Sequence, residues 1–168
     1  MKEFHFDNIL VTLVETDNTA VYKFNGSVTE SFLYQNVEIS IAPRVVFDLE
    51  DIQNFNSCGI REWIYFVAKF EDKESFEFTN CAVPVVDQIN MVPDTQGAAS
   101  IKSFFAPYFC EEEEKPTDML VNVQDFMEDI TANAAPEFKC HSCKKELIFD
   151  ALESAYFSFI RGNYSNTA

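Results

Sequence analysis

The chain has 168 residues, of which 47% are hydrophobic and 18 are phenylalanine, so it is long and apolar enough for one ordinary domain with a small appendage. Its net charge of −16 repels phosphate backbones and anionic headgroups, and we therefore expect no nucleic acid partner. Because no run approaches the roughly 20 apolar residues of a membrane-spanning helix and the N-terminus lacks signal-peptide features, we expect a cytoplasmic protein without direct membrane insertion.

The N-terminal third of the chain predicts mainly strands. Residues 9–14 and 20–24 are β-rich runs separated by a polar turn, which is a hairpin signal, and Asn25-Gly26 ends the second run. Residues 30–41 carry apolar positions in a weak helical pattern. Residues 44–49 form a short apolar run that is typical of a fully buried strand.

From this strand onward, strands and helices alternate along the chain. We expect strands at 44–49, 75–79 and 101–105, and helices at about 57–70 and 83–91. Such alternation is typical of parallel β-α-β units, whereas the N-terminal hairpin adds antiparallel strands. The sequence therefore predicts an α/β fold with a mixed β-sheet flanked by helices.

The composition of the chain changes at Cys110. An acidic run over residues 111–114 follows it, and Pro116 closes that run. We predict a first domain over residues 1–109 and a small extension over residues 110–168, β-rich with helical segments, that packs on the first domain.

The helix predicted after residue 56 opens with Asn-Ser-Cys-Gly. Asn56 or Ser57 is suited to the N-cap, because a short side-chain oxygen accepts from the free N–H groups of the first turn. A helix N-terminus also favours a thiolate at Cys58, but a nucleophile needs a base, and neither of the two histidines stands in a Cys-His pattern. We expect Cys58 to be a packed thiol, with a redox-sensitive thiol and a catalytic thiol as alternatives.

The same opening resembles the signature of STAS domains, the family of anti-sigma factor antagonists. In that signature a strand ends as Asp48-Leu49 does here, and a short loop then leads to a helix that begins much as Asn-Ser-Cys-Gly-Ile does. The resemblance covers about residues 8–108. The whole chain is more closely similar to a bacterial subgroup in which a STAS-like domain precedes a cysteine-rich, zinc-ribbon-like tail; the segments that carry this similarity are 56–64, 88–93, 103–110 and 156–160.

The resemblance implies a docking surface near residue 56. It would consist of the turn beside Gly26, the loop at 54–57 and the outer face of the following helix, where we expect Arg61 and Glu62 to be exposed. In phosphoregulated members a serine directly precedes the glycine, and Cys58 stands there in this chain. The phosphoswitch is therefore expected to be lost or moved to Ser57.

The resemblance also implies a non-enzymatic protein–protein interaction module in bacterial signalling, with a regulatory kinase or another signalling protein as partner. Because STAS domains also serve in transport, an accessory subunit of a lipid-transport or transporter complex is an alternative. A thiol- or redox-sensitive regulator acting through Cys58 is a second alternative. The chain has no P-loop, GxSxG, dinucleotide-binding or paired-carboxylate pattern, and we expect it not to be an enzyme.

The tail carries half of a zinc ribbon, Cys140-x2-Cys143. Its counterpart begins at Cys110, and the fourth ligand would be Glu113 or His141. We expect no required cofactor, and both Zn²⁺ binding and a metal-free, vestigial ribbon stay open. In the metal-free case apolar side chains would hold the tail on the first domain: Phe138, Leu147, Phe149, Tyr156 and Phe159.

Overall fold

The computed structural model describes residues 1–160, and residues 161–168 of the predicted extension lie outside this part of the chain. Six strands form one mixed sheet in the order β1-β2-β3-β4-β5-β6. Their bounds are β1 Lys2–His5, β2 Ile9–Glu15, β3 Thr19–Val28, β4 Arg44–Phe55, β5 Ser75–Thr79 and β6 Ser100–Ile101. Strands β1, β2 and β3 pair antiparallel, and β3 to β6 pair parallel. The predicted α/β class, the hairpin and the mixed sheet are confirmed.

Two helices follow the central strands. They are α1 Ser57–Val67 and α2 Val83–Met91, and 3-10 turns extend or follow them at Ala68–Phe70 and Pro93–Thr95. Because parallel neighbours that are consecutive in sequence are joined by right-handed crossovers, these connections lie on the same face of the sheet. That face carries the buried positions of each strand, and the other face carries half-buried and exposed ones.

The covered face is packed with aromatic rings. Phe47 of β4 lies at the centre and is fully buried. Its ring contacts the rings of Tyr22, Phe24, Trp63, Phe66, Phe70, Phe76 and Phe78. The indole N–H of Trp63 donates to the carbonyl of Thr95 at 2.9 Å, which satisfies the polar atom of this buried side chain.

Residues 30–41 do not form the expected α-helix, apart from a 3-10 turn at Tyr34–Asn36. The Tyr22 hydroxyl takes over backbone groups of this segment: it donates to the carbonyl of Glu38 and accepts from the N–H of Ser40, both at 2.8 Å. Phe32 is buried in the aromatic core. Tertiary packing therefore overrides a weak helical pattern in this segment.

Strands β3 and β4 extend beyond the runs that the sequence predicts. They pair with each other as far as Val28 and Phe55, with irregular register on the way. Gly26 continues β3 instead of ending it, at φ 126°. A Cβ at Gly26 would overlap the carbonyl oxygen of Asn8, so only glycine fits this close approach of the backbones.

A second, three-stranded antiparallel sheet lies beyond β6. It has the order β8-β7-β9, and two short helices accompany it. The bounds are β7 Ser103–Cys110, β8 Lys115–Asn122, α3 Met127–Thr131, β9 Ile148–Phe149 and α4 Glu153–Tyr156.

The strand expected at 101–105 is divided between the two sheets at Lys102. Its N–H donates to the carbonyl of Phe78 in β5, and its carbonyl accepts from the N–H of Val123, just after β8. The Ser103 hydroxyl accepts from the N–H of Asn80 at 2.8 Å, which is in a left-handed conformation at φ 51°. These contacts tie the second sheet to the end of β5.

Aromatic side chains of the tail also pack on the junction. Phe104 contacts the rings of Tyr156, Phe157 and Phe159. The Tyr156 hydroxyl donates to the carbonyl of Phe105 at 2.6 Å, and the Asn90 amide of α2 donates to the carbonyl of Tyr156 at 2.9 Å. No helix within residues 1–160 has the length and apolar character needed to span a membrane.

Candidate metal centre and docking corner

The start of α1 is held in place by Asn56. Its side-chain oxygen accepts from the N–H of Gly59 at 2.8 Å, and this confirms the predicted N-cap. The side-chain amide of Asn56 donates to the Glu30 carboxylate at 2.6 Å. Glu30 is far away in sequence, and no local pattern indicates this contact. The corner between β4 and α1 is therefore fixed on both sides of the cap.

Gly59 is present because the helix passes very close to β3. A Cβ at this position would overlap the carbonyl oxygen of Val28. The N–H of Asn56 donates to the same oxygen at 3.1 Å. The glycine after Cys58 thus allows close packing of a helix on a strand, which needs no nucleophile to explain it.

Among the predicted docking residues, Ser57, Cys58 and Arg61 are exposed. The expectation that Cys58 is packed is wrong, because Gly59 faces β3 and the two residues before it turn outward. Arg61 has 67% of its side chain exposed and lies 3.4 Å from the Glu62 carboxylate. The expected exposure of Glu62 is also wrong: only 15% of its side chain is exposed. Residue 62 follows Gly59 by three positions and therefore lies beside the buried face.

Gly26 does not contribute an accessible turn to this corner. It is buried within β3, opposite Ile9 of β2. The nearby exposed positions are Asn8 and Thr29, whose side chains share a hydrogen bond of 3.1 Å. The expected docking surface is therefore reduced to the start of α1 and the loop before it.

The structure brings Cys110, Cys140 and Cys143 together. Their sulfur atoms lie within 4.8 Å of one another, and the Cys110 and Cys143 sulfurs are 3.5 Å apart. All three are free thiols. Around a tetrahedral Zn²⁺ with Zn–S bonds of about 2.3 Å, two sulfurs are separated by about 3.8 Å. The three residues therefore fit three corners of a metal site.

Backbone geometry positions these thiols. Cys110 ends β7. Cys140 begins a turn that is closed by its N–H to the carbonyl of Lys145 at 2.8 Å, and by the Lys144 N–H to its own carbonyl at 3.0 Å. Backbone N–H groups of Cys143 and Ser142 face the Cys140 sulfur and lower the pKa of its thiol. Burial raises the pKa of the Cys110 thiol.

The two expected candidates for a fourth ligand differ in position. The Glu113 carboxylate contacts the Lys115 ammonium, which holds the pKa of Glu113 below its usual range; Ser142 and Cys140 lower it further. His141 is exposed and does not belong to the cluster among the described residues. Sequence reasoning missed Lys115 and Ser142, since only the meeting of two distant turns makes them neighbours of Glu113.

Comparison with known proteins adds no assignment. No protein-family model matches the chain, and no curated protein matches it either. The cysteine cluster and the start of α1 are thus the features from which a function can be argued.

Proposed function

We propose that the chain is a non-enzymatic, STAS-like interaction module in bacterial signalling, which binds a protein partner through Ser57, Cys58 and Arg61. The observation that carries this proposal is the exposure of these side chains on a helix start that is fixed by its cap. The order of β4, corner and α1 in a mixed sheet with helices on one face supports the STAS-like resemblance.

A rigid corner suits recognition because little conformational entropy is lost when a partner binds to it. The contact between Asn56 and Glu30 holds the loop before the helix, and Gly59 holds the first turn on β3. Arg61 is a positive group on a strongly acidic chain, and it would attract an acidic side chain of the partner. The phosphoserine position of the family is occupied by Cys58, so regulation by phosphorylation would have to act at Ser57.

The test uses the exposure of Cys58. A thiol-directed photo-crosslinker attached there in the full-length protein should couple a specific bacterial protein on illumination, and Arg61→Glu should weaken the coupling by removing the positive contact. Cys58→Ser measures any coupling that arises from labelling at the partly exposed Cys143.

The matched control places the crosslinker at the other end of α1. Asp72 is exposed beyond the helix, whose 11 residues span about 16 Å. Cys58→Ser combined with Asp72→Cys should not couple the same protein. Equal coupling from both positions would contradict docking at the corner. A coupled kinase or signalling protein supports the signalling role, whereas a transporter component supports the accessory-subunit alternative.

We propose Zn²⁺ as the metal of the cysteine cluster. Two of the three thiols are buried and all three fit a tetrahedral arrangement, which is typical of structural zinc sites. Purified protein should contain about one zinc per chain, with the loss of this zinc in Cys140→Ser. Metal-free wild-type protein that takes up no Zn²⁺ under reducing conditions would support the vestigial ribbon instead.

The exposure of Cys58 favours a second candidate function, thiol-based regulation. A sensor thiol must be accessible and more reactive than an ordinary cysteine. Its alkylation rate at neutral pH, measured against a free cysteine peptide, tests this. A rate clearly above that of the peptide supports the sensor, and an equal or lower rate removes it.

A further inference from the structure

Two turns of the same shape meet at the cysteine cluster. One covers residues 110–114 and the other residues 140–144. Each begins with a buried cysteine whose sulfur is faced by the backbone N–H of the residue three positions later. Each ends with a residue in the left-handed conformation, at φ 49° for Glu114 and φ 64° for Lys144. Non-glycine residues adopt this conformation rarely, so its occurrence at both turn ends indicates a shared geometry.

This correspondence places Glu113 where the other turn has Cys143. Cys143 is a member of the cluster, with its sulfur 3.5 Å from that of Cys110. Glu113 faces the second turn in a reciprocal way, because its carboxylate interacts with the side chains of Ser142 and Cys140. Each turn thus directs its fourth residue toward the first residue of the other.

The remaining glutamates of the acidic run do not share this orientation. Glu111, Glu112 and Glu114 are exposed, whereas only 22% of the Glu113 side chain is. His141 corresponds to Glu111, the second residue of its turn, and is exposed like it. The position in the turn therefore explains why one carboxylate points inward and the histidine does not.

We infer that Glu113 is the fourth ligand of the metal site, which then consists of three thiolates and one carboxylate. This inference rests on the zinc site proposed above and goes beyond it by naming the ligand. Zn²⁺ accepts a carboxylate oxygen at about 2.0–2.2 Å beside thiolate ligands. Lys115 is a positioning residue: its ammonium contacts the Glu113 carboxylate and offsets the negative charge that three thiolates and a carboxylate leave on the site.

The test titrates metal-free, reduced full-length protein with Co²⁺, a coloured substitute for Zn²⁺, followed by competition with Zn²⁺. Glu113→Gln should keep the thiolate-to-metal absorption of three cysteines, shift the ligand-field bands and weaken binding by at least the roughly 10- to 100-fold that follows loss of an outer-shell partner. Glu113→Cys should increase the thiolate-to-metal absorption and tighten binding. This gain cannot arise from misfolding.

Two matched controls lie in the same turns. Glu112→Gln removes a neighbouring exposed carboxylate, and His141→Ala removes the competing candidate; both should bind Co²⁺ like the wild type. If Glu113→Gln and Glu113→Cys behave like the wild type, or if His141→Ala changes the ligand-field bands, the inference is overturned while the zinc site stands. Wild-type protein that binds neither Co²⁺ nor Zn²⁺ overturns both.

Discussion

The two sheets of this protein are stabilised by different means. The six-stranded sheet contains a strand of 10 residues and one of 12, and its covered face is filled with fully buried aromatic rings. The three-stranded sheet has a two-residue strand, β9, and its edge strand β8 is mostly exposed. A small sheet buries too little apolar surface to be stable alone, and it gains from a metal or from docking on a larger core.

The second sheet uses both of these supports. On one side, Ser103 and Phe104 connect it to the end of β5 and to the C-terminal aromatic residues. At the far end of β7, the cysteine cluster joins the 110–114 turn to the hairpin around residues 140–144. The difference teaches that burial stabilises the first region, whereas the second depends on cross-links between chain segments that are distant in sequence.

Phe47→Ala should have the largest effect, because it removes the central ring of the first region. We expect a loss of about 3–5 kcal/mol in the free energy of unfolding, measured by urea denaturation. Val46→Ala is the matched control, since Val46 is adjacent but only half-buried on the other face. It should cost clearly less. An effect of Phe47→Ala no larger than that of Val46→Ala would contradict the role assigned to the aromatic core.

Removing the metal should destabilise the second region by a comparable amount. With free Zn²⁺ at roughly 1,000 times its dissociation constant, binding contributes about 4 kcal/mol. Chelation should therefore increase amide hydrogen exchange in residues 138–147 far more than in β3 and β4. Uniform acceleration in both sheets would instead show that the two regions unfold as one unit.

Gly59→Ala should have an intermediate effect at the corner of the first region. The added methyl group overlaps the Val28 carbonyl oxygen, and we expect a loss of about 1–3 kcal/mol from the strain of overpacking. Cys58→Ala changes an exposed side chain one residue earlier and should leave the free energy of unfolding nearly unchanged. Thermal denaturation of the two variants compares them directly, and equal melting temperatures would contradict the close approach.

Alkaline pH should produce the smallest effect, and it acts on both regions. Burial raises the pKa of Tyr22 to about 12 in the first region, and burial also raises the pKa of Tyr108 in the second. An unfolded tyrosine loses its proton near pH 10, so between about pH 10 and 12 the folded chain holds more protons than the unfolded chain. Stability should therefore fall as the pH rises, by at most about 1.4 kcal/mol per pH unit for each tyrosine.

Substitution separates the two contributions to this pH dependence. Tyr22→Phe and Tyr108→Phe each lose hydrogen bonds, so the slope of unfolding free energy against pH is compared and not its absolute value. Each variant should show a shallower slope than the wild type above pH 10. Unchanged slopes in both would show that these tyrosines do not control alkaline unfolding.

The sequence alone determined those parts of the fold that depend on local patterns. The hairpin, β5, α2 and the N-cap of α1 were predicted from alternation, helical spacing and a capping side chain. The α/β class followed from their order. These features were predictable because neighbouring residues carry the physical information.

Only the tertiary structure decided the features that depend on distant partners. The Tyr22 hydroxyl replaced a helix at residues 30–41, and Lys102 divided a predicted strand between two sheets. Spacing predicted Cys140 and Cys143 as a pair, but the inward position of Glu113 exists only because two turns 30 residues apart meet. Likewise, the close approach of Gly59 to Val28 turned Cys58 outward. Such outcomes depend on which backbones come into contact, and no local pattern encodes that.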